Sequence, residues 1–201
     1  MRPVVWFSVV SLFLVSACTI KPVKKPVAPD SAAWLSHQNT LKHVDNWQFS
    51  GRFAAKTDTE NWTGGISWSQ SMQEYQINIS GPLSSGSISL EGTEDYSKLS
   101  VSDSEWYEDI NPQLLLQHHT GLKLPIEELR YWLRGLPALN SAHKIIEFNE
   151  AGQLQKLQQN NWEISFKRYK NVGTISVPDK IFLLNHEINV RLIIQKWQIR
   201  S

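Results

Sequence analysis

Residues 74–90, EYQINISGPLSSGSISL, decide how the chain is read. Tyr75, Ile77 and Ile79 stand opposite Gln76 and Asn78, the two-residue period of a strand with one face buried and one in water. Ile88 and Leu90 resume the pattern after Gly81-Pro82-Leu83-Ser84-Ser85-Gly86, whose composition is that of a turn. Strands joined so closely run antiparallel, because a parallel pair needs a crossover of about a dozen residues or more. Loops run over the surface and face water, so the leucine at the tip of this turn needs a reason of its own.

The same period extends to both sides. Trp47, Phe49 and Phe53 alternate with Gln48, Ser50 and Arg52, and Ile66 with Trp68, and Leu99 with Val101, continue it. Further strands are predicted around Ile145, over Leu154 to Leu157, through Trp162, Ile164 and Phe166, over Ile181 to Leu183, and over Ile188 to Ile194. Short turns separate them, which predicts an antiparallel meander. A single sheet of about eleven strands must curl or split, since open twisted sheets rarely exceed ~10 strands while flat.

Three stretches have the helical period instead. Asp30 and Ser31 cap a helix expected to run to about Val44, with Trp34, Leu35 and Leu41 as its packing face. Asn111-Pro112 is a cap followed by proline at the first helical position, and LLLQHHTG ends at a glycine stop. A third helix begins at Pro125. Its Ile126, Leu129, Trp132 and Leu133 share one side, and Gly135 with Pro137 ends it. The apolar concave face of the sheet is the one sensible place for these helices, as a plug or lid. There is no internal repeat and no sign of a second domain.

The first residues, MRPVVWFSVVSLFLVSAC, read as an export signal. Arg2 gives the positive start, and the apolar run from Val4 to Val15 is short of the ~20 residues a spanning helix needs. Val15-Ser16-Ala17-Cys18 resembles a bacterial lipobox, which implies cleavage before Cys18 and lipids on its sulfur and new amine. Cys18 is the only cysteine, so no intramolecular disulfide forms and the core alone holds the fold. Lys21, Lys24 and Lys25 interleaved with Pro22, Pro26 and Pro29 predict an extended, solvated tether. Thr19, rather than Asp, follows the cysteine, and in the enterobacterial sorting rule that implies the outer membrane. The expected organisation is a signal peptide over residues 1–17, a lipidated tether over 18–30 and one domain over 31–201.

Chemistry leaves no mark. His118 and His119 are adjacent, so on a helix they point about 100° apart and make a poor metal pair. There is no His-x-x-x-His, no nucleophile elbow and no glycine-rich phosphate loop. Glu127-Glu128 and Glu94-Asp95 read as solvated charges. With 20 basic against 19 acidic residues, the chain has no long-range field for nucleic acid. No catalytic residue, metal or cofactor is expected, and the chain is expected to be a monomer.

In order and spacing, several segments resemble the outer-membrane lipoprotein receptor family LolB. They are the lipobox cysteine, WLSHQ, SGRFA, Tyr-x-Ile-x-Ile leading into GPLSSGSISL, ELRYWLRGLP, NWEISFKRY, a Pro-x-Lys-Ile strand and the closing VRLIIQKW. One departure is that Ser84 stands where the family usually has glycine after Pro-Leu. The resemblance implies a mainly β, α+β fold: a single curved antiparallel sheet forming an unclosed half-barrel, with a lid of short helices over an apolar cavity. It also implies a partner, the periplasmic carrier LolA, from which lipoproteins are accepted without ATP for insertion into the outer membrane.

On that reading the acyl-cavity lining consists of Ile66, Trp68, Tyr75, Ile77, Ile79, Ile88, Leu90, Trp162, Ile164 and Phe166 from strands. Leu129, Trp132 and Leu133 face them from the lid. The family's equivalent of Leu83 serves membrane insertion, and that role is carried onto Leu83, with Pro82 stiffening the turn. The reading needs a hollow left unfilled, whereas a filled core gives the same alternation in sequence. A lipocalin-like carrier of a small apolar ligand and a structural adaptor with a filled core are the rival readings.

Overall fold

The computed structural model describes residues 31–81, 86–102, 105–139 and 141–200. The chain begins with α1 (Ala32–Lys42), capped by the Ser31 side chain, which accepts from the Trp34 N–H at 3.2 Å. Six strands follow: β1 (Asn46–Lys56), β2 (Asn61–Ser71), β3 (Glu74–Ser80), β4 (Ser87–Gly92), β5 (Ser97–Val101) and β6 (Trp106–Asp109). Two helices come next, α2 (Pro112–Thr120) and α3 (Ile126–Trp132). The chain closes with β7 (His143–Phe148), β8 (Leu154–Gln159), β9 (Trp162–Val172), β10 (Ile175–Leu184) and β11 (Asn189–Arg200).

The expected helix limits hold because the caps are where the sequence puts them. Asn111 Oδ1 accepts from the N–H groups of Gln113 and Leu114, each at 3.0 Å. Gly121 ends α2 in the left-handed conformation, φ 75°, which a side chain would strain. In α1, Trp34 and Leu41 are buried as expected. Leu35 is not: it is 52% exposed, since it lies on the solvent side of the helix.

All eleven strands form one antiparallel sheet in the order β6-β5-β4-β3-β2-β1-β11-β10-β9-β8-β7. It is two meanders, joined where the first strand pairs with the last. That seam runs the full length of β1, from Asn46 against Arg200 to Lys56 against Asn189. Because β6 and β7 are the two edges and do not pair, the sheet is an unclosed half-barrel. Alternation is cleanest in β3, where Tyr75, Ile77 and Ile79 are buried and their neighbours exposed.

The register also fixes two rims. Lys56 lies opposite both Asn61 and Asn189, and Gly65 opposite Ser80. The β1–β2, β3–β4 and β10–β11 turns therefore share one rim, called the turn rim below. At the opposite rim are the start of β1, the β4–β5 turn and the end of β6, since Ser97 pairs with both Gly92 and Asp109.

Local exceptions to the ladder have local causes. Pro178 lacks an N–H, and it sits in β10 where the pairing with β9 shifts register. Its carbonyl accepts from Trp197 Nε1 at 2.8 Å. The β1–β11 seam shifts register at Ser50/Gly51. A Cβ at Gly51 would overlap the Ile193 carbonyl oxygen, so the two chains approach there only because the residue is glycine.

Gly51→Ala should therefore weaken the seam between the two meanders, with a loss of roughly 1–3 kcal/mol from forced backbone shifts. Urea unfolding of the variant checks this. An unchanged midpoint would mean that the seam tolerates a side chain.

Candidate functional site

The concave face of the half-barrel is apolar and is covered by the two-helix segment between its edges. From the sheet come Phe49 and Phe53 of β1, Ile66 and Trp68 of β2, Ile77 and Ile79 of β3, and Ile88 and Leu90 of β4. Leu183 of β10 and Val190 and Leu192 of β11 extend the floor across the seam. Leu116 of α2, Leu124 of the connector, Ile126 and Leu129 of α3, and Leu133 just after it form the roof. Every one of these sixteen residues is apolar, so nothing in the lining can orient a hydrogen-bonding ligand.

Between floor and roof there is almost no space. The void measures about 20 Å³, room for one water at most. Small-molecule pockets usually hold ~300–1,000 Å³. The unfilled hollow required by the sequence reading is thus closed in this conformation. The correction has a simple physical reason: an apolar concave surface exposed to water is costly, and the lid's leucines and isoleucine fill it.

Eight of the expected lining residues meet at this void: Ile66, Trp68, Ile77, Ile79, Ile88, Leu90, Leu129 and Leu133. The other five are buried beside it. Tyr75 shares a hydrogen bond with Ser97 Oγ at 2.9 Å. Trp132 stacks at a tilt on Trp162, with centroids 6.1 Å apart. Ile164 and Phe166 belong to the β9 part of the core, where Phe166 packs near Tyr169. Eight lining positions are new: Phe49, Phe53, Leu116, Leu124, Ile126, Leu183, Val190 and Leu192. Six of them lie in the same apolar runs, so periodicity marked them as buried without saying against what; Leu116, inside LLLQHHTG, and Leu124, in the connector, carried no such mark. Cys18, Pro82 and Leu83 lie outside the described residues.

Polar groups hold the lid at its margins. Past the end of α3, Gln159 of β8 is buried and uses both ends of its amide. Its Oε1 accepts from Trp132 Nε1 at 2.9 Å and from the Ala138 N–H at 2.8 Å, and its Nε2 donates to the Ala138 carbonyl at 2.9 Å. Arg134 is also buried and donates to the carbonyls of Val44 at 2.7 Å and Leu41 at 3.4 Å. Burial lowers its pKa from the ordinary value, and the charge of Asp45 partly opposes that. At the other end of the lid, Lys123 Nζ meets Glu187 Oε2 at 2.9 Å, with both side chains about 40% exposed. The lysine holds the Glu187 carboxyl below its ordinary value, chiefly through that hydrogen bond.

No group of three or more His, Cys, Asp or Glu residues suited to a metal occurs among the described residues. The arrangement offers a closed apolar interior under a polar-edged flap.

Comparison with known proteins gives the family and the fold. The family model described as outer membrane lipoprotein LolB matches residues 45–197. The chain is 33% identical to an outer-membrane lipoprotein LolB of Nitrosococcus oceani, over 94% of each chain. It is 31% identical to the Pseudomonas aeruginosa protein of that description, over 86% of this chain and 83% of the relative. Among solved structures, a putative outer membrane lipoprotein-sorting protein domain from Vibrio parahaemolyticus superposes with a TM-score of 0.54 at 9% identity. That match covers 83% of this chain and 92% of the other. A LolA superfamily protein from Nitrosomonas europaea gives 0.50 at 10% identity, covering 85% and 95%. At such identities the structural matches establish the fold alone.

If the lid is packed as described, Leu129→Ala should destabilise the protein by about 2–5 kcal/mol and leave a dry apolar void. Urea unfolding with and without dissolved xenon measures both effects. A variant as stable as the parent would show that α3 does not fill the concavity.

Proposed function

The chain belongs to the LolB family, and on that premise we propose that it accepts lipoproteins from a periplasmic LolA-type carrier and inserts them into the inner leaflet of the outer membrane. It is an outer-membrane lipoprotein with a role in lipoprotein localisation. The finer steps are our reading: cargo is held by its acyl chains, ATP is not used, and no bond to the cargo is made or broken.

The observation that carries this reading is a lining of apolar residues alone between floor and roof, a space that the lid's own side chains fill here. A lipoprotein's acyl chains amount to about forty methylenes, each worth ~0.8 kcal/mol on burial. Exposing them to water would cost tens of kcal/mol, so an unfuelled carrier must pass them between apolar surfaces. The lid supplies the means. Leu116, Leu124, Ile126, Leu129 and Leu133 occupy the concavity until acyl chains displace them, and hydrocarbon then replaces hydrocarbon. The floor stays covered throughout. Direction comes from relative affinity, the donor holding the chains less tightly than this protein and the membrane more tightly. A lipocalin-like site for one small ligand would ordinarily include a few polar groups to fix its orientation, and this lining has none.

The remaining parts follow from the sequence. We propose that residues 1–17 are removed, that Cys18 bears the lipid anchor, and that residues 18–30 form a tether able to span about 40 Å. The domain acts as a monomer on that tether. Leu83, between Gly81 and Gly86, dips into acyl chains at the leaflet, contributing ~1.5–3 kcal/mol if fully buried there. That orients the domain without holding it, which is the task of the anchor.

A labelled lipoprotein loaded on the carrier should move to this protein in the absence of ATP; failure to move would overturn the proposal. Leu83→Glu should leave folding and acceptance intact and stall delivery to outer-membrane vesicles. Delivery at the parental rate would remove Leu83 from the mechanism. Cys18→Ala behind a cleavable secretory leader should yield an unanchored protein that still accepts cargo, and loss of acceptance would show that the anchor does more than localise.

A further inference from the structure

The face of the sheet turned away from the lid carries charge of one sign around the seam. The four strands there, β1, β11, β10 and β9, hold nine lysines and arginines against two carboxylates, Glu163 and Asp179, although the whole chain is near neutral. Asp179 is already taken, since its Oδ1 accepts from Arg168 Nε at 2.7 Å. The register sets the other groups in rows across the strands. Arg52 lies opposite Ile193, and Ile193 opposite Lys180. Two residues along, Ala54 lies opposite Arg191, and Arg191 opposite Phe182. At the turn rim, Lys56 lies opposite Asn189, and Asn189 opposite Leu184. Because side chains alternate, these rows share the outer face, while the rows between them, Phe53 with Leu192 and Ile181, and Ala55 with Val190 and Leu183, are buried in the core.

Phe182 is the centre of the face. Lys167 Nζ stands 5.8 Å from its ring centroid, Lys180 Nζ 5.5 Å and Arg191 Cζ 5.5 Å. Such a contact is worth only ~0.5–1 kcal/mol at an exposed site, and the three like charges repel one another. Among the described residues, neither these three nor Arg52 forms an ion pair with a carboxylate. Crowded cations of this kind hold a positive potential whose counter-charge comes from outside the chain. The same rows expose apolar bulk, with Ile193 40% and Leu184 46% exposed. Cations on long stems beside exposed apolar side chains suit a headgroup layer, where the charges reach phosphate and the apolar groups reach the first methylenes. A free phosphate would give Ile193 and Leu184 nothing to meet. The leaflet is also the surface to which an outer-membrane lipoprotein is held.

We propose that this outer face, centred on Lys167, Lys180, Arg191 and Phe182, binds the anionic phospholipid headgroups of the leaflet. The domain then rests on its convex side, with Lys56 and the turn rim brought to the bilayer and the lid turned toward the periplasm. The proposal goes beyond acyl transfer and does not depend on it, since headgroup binding involves neither cargo nor lid.

The test uses the full chain carrying Cys18→Ala behind a cleavable secretory leader, so that no lipid anchor contributes. It is sedimented with vesicles of phosphatidylcholine alone or mixed with phosphatidylglycerol. The parent should bind the phosphatidylglycerol vesicles more tightly, and binding should fall as salt is raised. Lys167→Gln, Lys180→Gln and Arg191→Gln should each weaken it about fivefold, the effect of one basic residue at an anionic surface, with urea midpoints unchanged. Lys180→Arg should keep the parental affinity. Lys98→Gln removes the same charge from an ion pair with Glu91 and should change nothing. Inorganic phosphate at matched ionic strength should not displace the vesicles. Equal binding to both vesicle types, folded variants that bind like the parent, or displacement by phosphate alone would each overturn the proposal. So would a triple glutamine variant that keeps vesicle binding and loses acceptance from the carrier, which would make the face a docking surface for that protein. Failure of the acyl-transfer reading looks different: lipoprotein would not leave the carrier, while vesicle binding would stay as described.

Discussion

An open sheet with an apolar concave face cannot leave that face wet. Eleven strands that do not close expose on one side a continuous surface built from residues such as Phe49, Phe53, Ile66, Ile77 and Val190. At ~25 cal/mol per Å², such a face exposes the protein to collapse or aggregation unless something apolar covers it. The lid satisfies this constraint now, and in the proposed cycle acyl chains satisfy it later. Cover and cargo are chemically the same kind of thing.

That equivalence explains why the closed interior and a transport role fit together. A rigid, permanently open cavity of acyl size would fill with water or find another greasy occupant. A permanently sealed core would accept nothing. The molecule combines a floor fixed by long antiparallel ladders with a short roof of two helices, α2 of nine residues and α3 of seven. Isolated helices of that length are marginal in water, so the roof owes its structure to packing on the floor and is the element most easily exchanged.

The two ends of the roof obey different chemistry. Near Trp132 the holding groups are buried amide and guanidinium donors whose loss leaves unpaired polar atoms. Near Lys123 they are an exposed ion pair and two buried leucines. Hydrocarbon competes with leucine and does not compete with a buried amide.

The sequence by itself determined the local structure. Alternation in residues 74–90 marked antiparallel strands, Asn111-Pro112 and Gly121 bounded α2, and Ile126, Leu129, Trp132 and Leu133 were set on one buried side. The same segments carried the LolB resemblance. Only the tertiary structure decided that β1 pairs with β11, that Leu35 faces water, that Leu116 and Leu124 roof the floor, and that Trp162 and Ile164 pack beside the void. It also decided that the hollow is closed. The reason is that periodicity records which face of an element is buried, through the backbone's own geometry, and carries nothing about the partner across the gap. Partners are set by contacts between residues far apart in the chain, such as Phe53 against Leu192 or Trp132 on Gln159, and those exist only once the chain has folded.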